Sequence, residues 1–149
     1  MTTIETQSER ASFGGETGFY GRPYETCDGE PRFAVYTPPG AAGGPVPVLY
    51  CLDGLTYTEG TLMIKGGAQR LAAEHGLMLV APATGPRTAD VPGEDGFYVD
   101  ATEGPWSRHH RMYSYVTLEL PSVVEENPAS TPAASSATPW AATARSSAP

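Results

Sequence analysis

The chain has 149 residues, of which 40% are hydrophobic, 17 are glycine and 15 are proline. That length supports one domain with a sizeable core, and the glycine and proline content predicts many turns. The formal net charge of −8 disfavours a nucleic-acid partner, because binding to phosphates needs a basic face. The polar start and the short apolar segments predict neither a secretory signal nor a membrane span, so we expect a cytoplasmic protein.

The first two predicted elements are strands. The segment RFAVYT, residues 32–37, alternates with Phe33 and Val35 on one face, which predicts a half-buried strand. The segment VPVLYCL, residues 46–52, is continuously apolar and rich in β-branched residues. This pattern is typical of a strand that is covered on both faces.

A helix and a further strand follow. Ala68, Leu71, Ala72 and His75 recur at helical spacing, and Gly76 supplies a stop signal. The segment LMLVAP, residues 77–82, predicts a second buried strand. The order strand, helix, strand is typical of a parallel unit, so the predicted fold class is α/β.

The rest of the chain divides at Pro128. Residues 113–126 predict a second helix with a kink at Pro121, and its apolar face is formed by Tyr115, Val116, Leu118, Leu120, Val123 and Val124. Beyond Pro128 the only charged residue is Arg145. We therefore predict a domain over residues 1–127 and a disordered low-complexity tail over residues 128–149.

The cysteines and histidines form no pattern of metal ligands. Cys27 and Cys51 lack metal or redox spacing, and Cys51 lies in an apolar run, which predicts a buried, inert thiol. His75 at a helix end is expected to offset the helix dipole, whereas His109 and His110 are expected on a solvated surface. The sequence therefore predicts no metal and no cofactor.

One loop could carry chemistry. Residues 53–56, Asp-Gly-Leu-Thr, follow a predicted buried strand, where parallel sheets place their ligand sites. Backbone N–H groups beside Gly54 could form an oxyanion hole, although a plain turn is the simpler interpretation. No Gly-x-Ser-x-Gly motif occurs in the sequence, so these patterns alone indicate an α/β domain with a loop that could bind an anion.

Five segments together carry a family resemblance: RFAVYTPP, PVLYCLDGLTYTEG, KGGAQRLAAEHGLMLVAPATGPR, GFYVDATEGPW and RMYSYVTLELP. From about Ser12 to Ala129 the chain resembles the S-formylglutathione hydrolase (esterase D) family. The resemblance implies the N-terminal portion of an α/β-hydrolase doubly wound sheet. It also implies hydrolysis of S-formylglutathione to glutathione and formate, carboxylesterase activity on small esters, and a Ser-Asp-His triad without a metal.

The resemblance also assigns site residues. It implies that Leu55 supplies a backbone N–H to the oxyanion hole and that Gly54, Thr56 and Tyr57 contact a small thioester or ester substrate. Tyr57 replaces the cysteine that the family usually has at this position. The family's sensitivity to thiol reagents therefore need not apply to this chain. The turn at residues 95–96 lacks a short family segment near the active site, so we expect an altered pocket there.

The tail coincides with the expected position of the family's nucleophile elbow, G-H-S-M-G-G. Alanine, threonine and proline codons have two fixed bases each, as do TC-type serine and CG-type arginine codons. When residues 135–146 are read in the other frame, these bases permit I-F-G-H-S-M-G-G-H-G-A-L. We therefore predict a frameshift, a truncated chain without its triad, and no catalytic activity.

Two alternatives remain open at this point. The chain could be a non-catalytic binding or interaction domain with a genuine low-complexity tail. It could also be a short lipase-like enzyme with an unrecognised nucleophile. The nucleotide sequence separates the frameshift from a genuine tail, and ester hydrolysis by the purified chain would favour the second alternative.

Overall fold

A mixed five-stranded sheet organises the part of the chain that the structure describes. The computed structural model describes residues 4–21, 32–53, 58–83, 98–108 and 110–126. Its strands are β1 (Glu5–Ser12), β2 (Gly15–Gly21), β3 (Arg32–Thr37), β4 (Val48–Tyr50) and β5 (Met78–Pro82). Their order across the sheet is β1-β2-β3-β5-β4. Only β4 and β5 pair in parallel; the other neighbours are antiparallel. With its helices the chain is an α/β protein, as the sequence predicts.

The helices are short segments that follow one another closely. The first group consists of α1 (Glu59–Thr61), a π-helical turn (Leu62–Gly66) and α2 (Gln69–His75). The second consists of α3 (Met112–Ser114), a π-helical turn (Tyr115–Glu119) and α4 (Leu120–Glu126). In the described segments, 3-10 turns lie at Pro39–Gly43 and Trp106–Arg108. Within the described ranges, no helix has the length and apolar character needed to span a membrane.

Strand β3 is buried on both faces, so the prediction of a half-buried strand was wrong. Phe33 and Val35 pack on one side of the sheet, while Ala34 and Tyr36 pack on the other. All four side chains are at most 1% exposed. The cause is topological, because β3 lies between β2 and β5 and helices cover both faces of the sheet.

The hairpin of β1 and β2 is an element that sequence patterns did not reveal. β1 is mostly exposed and polar, so it lacks the apolar alternation that identifies a half-buried strand. The turn uses Phe13 (φ 46°) and Gly14 (φ 76°), both in the left-handed region. A side chain at Gly15 would lie 2.1 Å from the carbonyl oxygen of Thr37, so the close approach of β2 to β3 requires glycine there.

The predicted strand–helix–strand unit is present with shorter elements. β4 covers three of the seven residues predicted, and β5 begins at Met78 instead of Leu77. The stop at Gly76 is confirmed, since this residue ends α2 with φ 64°. The assignment of Leu71 to the apolar face was wrong: its side chain is 50% exposed.

The second predicted helix runs from Met112 to Glu126 and includes one widened turn. The kink predicted at Pro121 stays a prediction; Pro121 lies in α4, and the widened turn lies before it and contains Thr117. In a regular α-helix the carbonyl of residue 117 would accept from residue 121, and proline has no N–H to donate. Leu120 is fully buried as predicted, whereas Leu118 is 68% exposed, which corrects its assignment to the apolar face.

Two hydrophobic clusters lie on opposite faces of the sheet. One face packs against residues 112–126 through a cluster that includes Tyr20, Phe33, Val35, Tyr50, Met78, Val80, Met112, Tyr115, Leu120, Val123 and Val124. The other face packs against the first helical group through Ala34, Tyr36, Met63, Ala72, Leu79 and Ala81. The sheet is therefore the middle layer of three, as expected for an α/β fold.

Asp100 caps the second helical group from outside that helix. Its carboxylate accepts a hydrogen bond from the backbone N–H of Ser114, with a donor–acceptor distance of 3.0 Å, and another from the Ser114 hydroxyl. Asp100 also forms an isolated antiparallel bridge with Arg111. Burial opposes ionisation, but the hydrogen bonds from Ser114 and the charge of Arg111 outweigh it and lower the pKa of Asp100.

Replacing Asp100 with asparagine is expected to lower the free energy of unfolding at neutral pH by about 0.5–1 kcal/mol, because the site is solvent-screened. Since the folded pKa is depressed, this contribution is present above the unfolded pKa of about 4 and is lost as pH falls through the folded value. Urea denaturation of the unaltered chain and of the variant, at neutral pH and at a pH below the folded pKa of Asp100, measures the difference in the free energy of unfolding. The exposed Glu103→Gln is the matched control; an equal loss for both variants, or a loss that persists in acid, would contradict this assignment.

Candidate functional site

The candidate loop follows the parallel strand pair. The backbone N–H of Cys51 donates to the carbonyl of Val80 at 2.8 Å, which extends the ladder between β4 and β5 one residue beyond β4. Asp53 follows at the carboxyl end of β4, where the sequence placed it. The four site residues assigned by resemblance, Gly54, Leu55, Thr56 and Tyr57, lie outside the described residues.

Asp53, the first residue of that loop, is held by two other parts of the chain. The hydroxyl of Tyr98 donates to the Asp53 carbonyl at 2.7 Å. The backbone N–H of Leu62 donates to the Asp53 carboxylate. Burial nevertheless raises the pKa of Asp53, and its Oδ2 atom is buried with no hydrogen-bond partner within the described segments.

The described chain resumes at Thr58, where a helix begins. Thr58 has extended backbone angles, and its backbone N–H donates to the Thr61 hydroxyl at 3.1 Å. The backbone N–H of Thr61 donates in return to the Thr58 carbonyl at 3.0 Å. These contacts satisfy groups that a helix start leaves without partners, so Thr58 is fixed at the start of α1.

Residues 98–101 connect the candidate loop with the second helical group. Tyr98 bonds to Asp53 on one side, and Asp100 caps the helix through Ser114 on the other. The backbone N–H of Ala101 also donates to the His110 carbonyl at 2.8 Å. Sequence patterns did not predict these roles, because the two residues of the Tyr98 contact are 45 positions apart.

The structure agrees with some of the predictions for the cysteine and histidine side chains and corrects others. Cys51 is a half-buried free cysteine, and burial, followed by the charge of Asp53, raises the pKa of its thiol to about 11. An inert thiol was predicted and this environment agrees with it. His75 lies in the last turn of α2 as expected, but His110 is 7% exposed, so its assignment to a solvated surface was wrong. His109 lies outside the described residues.

No group of three or more histidine, cysteine, aspartate or glutamate side chains is placed to hold a metal ion in the part of the chain that the structure describes. The oxyanion-hole chemistry expected of residues 54–56 stays a prediction, because these residues lie outside the described ranges. Such a loop can donate N–H groups to a developing negative charge, provided that a nucleophile attacks beside it.

Residues 25–138 match the Esterase family model, which is well over half of the chain. The chain belongs to the esterase family. Its relatives include the S-formylglutathione hydrolase of Paracoccus denitrificans, 47% identical over 131 residues, and that of Mus musculus, 51% identical over 105 residues. The first match covers 83% of this chain and 47% of the relative, so this esterase chain spans about half the length of the curated protein.

A solved relative agrees with the fold. The S-formylglutathione hydrolase structure from Agrobacterium tumefaciens superimposes with a TM-score of 0.80 at 45% identity, covering 83% of this chain and 48% of the other. A ferulic acid esterase shares the fold with a TM-score of 0.60 at 18% identity. The esterase fold predicted from the resemblance is thus confirmed as the N-terminal part of an α/β-hydrolase sheet.

Proposed function

We propose that this chain carries the first half of an S-formylglutathione hydrolase-type serine esterase, with the candidate loop as part of its active site. The observation that carries the proposal is the position of Asp53, the first residue of this loop. The loop begins at the carboxyl end of the parallel strand β4, and Tyr98 holds Asp53 at its start. Ligand sites of open α/β sheets lie at such strand ends. The identity to S-formylglutathione hydrolases over most of the chain supports the choice of reaction.

In the proposed reaction a serine oxygen attacks the formyl carbon of S-formylglutathione, and the carbonyl oxygen becomes an oxyanion. The backbone N–H of Leu55 donates to that oxyanion, while Gly54 allows the close approach of the backbone and Thr56 and Tyr57 contact the substrate. The triad histidine of the frame-restored enzyme accepts the serine proton and passes it to the sulfur, so that the carbon–sulfur bond breaks and glutathione leaves. Water then attacks the formyl-enzyme and releases formate. No cofactor or metal takes part, and the proposed setting is the cytoplasm.

The second part of the proposal concerns this particular chain. We propose that residues 1–127 form the esterase portion, that residues 128–149 are an out-of-frame tail, and that the chain is inactive. The support comes from the sequence: it has no Gly-x-Ser-x-Gly motif, and the codons of residues 135–146 permit the elbow sequence in the other frame. The remaining triad residues would follow in that frame.

The gene sequence and a frame-restored protein test the proposal together. The expected result is an open second frame beyond Ala129 that encodes the elbow and the later aspartate and histidine segments. The restored protein is expected to hydrolyse S-formylglutathione, and replacement of its elbow serine with alanine should abolish turnover. A second frame closed by stops would refute the frameshift. An open frame without thioesterase activity would instead refute the proposed substrate.

A further inference from the structure

We propose that the outer edge of strand β4 is a docking surface for the C-terminal half of an S-formylglutathione hydrolase, supplied as a separate polypeptide. Within the described sheet, β4 is the last strand on its side and pairs with β5. The partner adds a parallel strand along this edge and covers the apolar side chains there. The inference rests on the proposed function, because it takes the partner from the other half of the same enzyme.

The two edge strands of the described sheet differ in the features that protect an edge. β1 carries three charged side chains and has a register shift between Thr6 and Ser8. Charged residues and bulges are the means by which natural edge strands avoid pairing with another chain. Residues 48–52, Val-Leu-Tyr-Cys-Leu, contain no charged residue, glycine or proline. β4 therefore has the composition of an interior strand at the position of an edge strand.

The burial of β4 agrees with a missing neighbour. Val48 packs in the cluster against residues 112–126, and Leu49 packs in the cluster against the first helical group, so both faces of β4 are covered. Both side chains are nevertheless only half-buried, whereas all five residues of the interior strand β5 are buried. A further strand along the edge of β4 would remove this apolar surface from water, which is favourable.

The hydrogen bonds to β5 show which backbone groups of β4 face the outer edge. The carbonyl of Pro47 accepts from the N–H of Met78 at 2.9 Å, and the N–H of Cys51 donates to the carbonyl of Val80 at 2.8 Å. Backbone groups of successive residues in a parallel strand point to alternate sides. Val48 therefore directs its N–H and carbonyl away from β5, and an added strand can bond to them without breaking the existing ladder.

The helices indicate where the next parallel strand belongs. Parallel strands that are joined by a helix follow a right-handed crossover in almost all proteins. The first helical group leads from β4 to β5 across one face, and residues 112–126 pack on the opposite face. A right-handed crossover on the opposite face runs in the reverse direction, from β5 back towards β4. Because β4 already adjoins β5, the next position in that direction is the outer edge of β4.

The end of α4 and the length of the chain identify the partner. Burial, followed by the charge of Glu125, raises the pKa of Tyr50, so the end of α4 lies near β4. The match to the Paracoccus denitrificans relative covers 47% of that protein. A strand that follows α4 in such a protein can therefore reach the edge of β4. The part of the relative beyond the match supplies that strand and is the partner that we assign to this edge.

The test refolds the full chain of 149 residues together with the C-terminal part of the Paracoccus denitrificans relative, beyond its match to this chain. A heterodimer is expected in gel filtration with light scattering. Within it, hydrogen exchange of the Val48 N–H is expected to slow at least about tenfold. Hydrolysis of S-formylglutathione by the heterodimer is measured separately. A heterodimer that does not hydrolyse it would support the docking surface and count against the proposed substrate.

Two variants at one position provide the matched comparison. Val48→Pro removes the N–H that faces the outer edge, but it leaves the hydrogen bonds of Pro47 and Cys51 to β5 in place. Val48→Ala also loses the valine side chain and keeps the N–H. The proline variant should bind the partner at least about tenfold more weakly than the alanine variant. Slow exchange of the Met78 N–H in each variant shows that the ladder to β5 is retained.

Three results would overturn the proposal: equal binding of the two variants, the absence of a heterodimer, or a heterodimer in which exchange at Val48 is unchanged. A stable dimer of this chain alone that protects Val48 and excludes the fragment would also overturn it, because the edge would then belong to a second copy. If the proline variant loses the ladder to β5, exchange at Val48 in the unaltered chain decides.

Discussion

A purified polypeptide of these 149 residues is expected to hydrolyse neither S-formylglutathione nor p-nitrophenyl acetate above the uncatalysed rate. The oxyanion donor proposed at Leu55 would stabilise a tetrahedral intermediate only after a nucleophile has attacked. Removal of a triad serine or histidine lowers turnover roughly 10⁶-fold, and this sequence has no serine in an elbow motif. Initial rates for both substrates, measured against buffer alone, check the expectation.

Ser107 provides the control for an unrecognised nucleophile. Ser114 is unsuitable for this purpose, because its hydroxyl is hydrogen-bonded to Asp100 and its loss would disturb the helix cap. Ser107→Ala should therefore show the same background rate as the unaltered chain. Turnover that is present in the unaltered chain and disappears in this variant would support a short lipase-like enzyme instead.

Replacing Leu120 with alanine is expected to cost about 2–5 kcal/mol of the free energy of unfolding, since the side chain is fully buried. Leu120 lies in the cluster that covers one face of the sheet and packs with Phe33, Met78 and Tyr115 in that cluster. The truncation removes apolar contacts and leaves a cavity that the surrounding strands can close only in part. Urea denaturation followed by circular dichroism measures the change.

Leu118 offers a control two residues away in the same helical group. Its side chain is 68% exposed, so Leu118→Ala should change the free energy of unfolding by no more than about 0.5 kcal/mol. A comparable loss at both positions would show that residues 112–126 do not pack on the sheet as described. A negligible loss at position 120 would lead to the same conclusion.

Local patterns predicted the elements that bury apolar side chains. The segments around Phe33, Val48 and Met78 are apolar enough to identify three strands, and Gly76 identifies the end of α2. The β1–β2 hairpin was not predicted, because β1 is exposed and polar and has no apolar pattern. β1 is a strand because its backbone pairs with β2, which the sequence pattern does not show. The exposure of Leu71 and Leu118 could not be predicted, since helical spacing alone does not tell which neighbours are present.

The candidate site also has one part that the sequence predicted and one part that it did not. The position of Asp53 after a parallel strand could be predicted from the order of the elements, and the structure agrees. The hydrogen bond from Tyr98 could not, because nothing in either segment encodes a contact between distant loops. The roles of Gly54, Leu55, Thr56 and Tyr57 remain predictions from resemblance.

The strand order also determines when the sheet can assemble during synthesis. β5 lies between β3 and β4 although it is the last strand of the described sheet to be made. A nascent chain that ends before Met78 can form the antiparallel ladder of β1, β2 and β3, but it has no partner for β4. Pairing of β3 with β5 joins residues more than 40 positions apart, and such contacts form slowly. Ribosome-bound chains should therefore gain protease resistance around β4 only after residues 78–82 have emerged, and later than in the ladder of β1, β2 and β3.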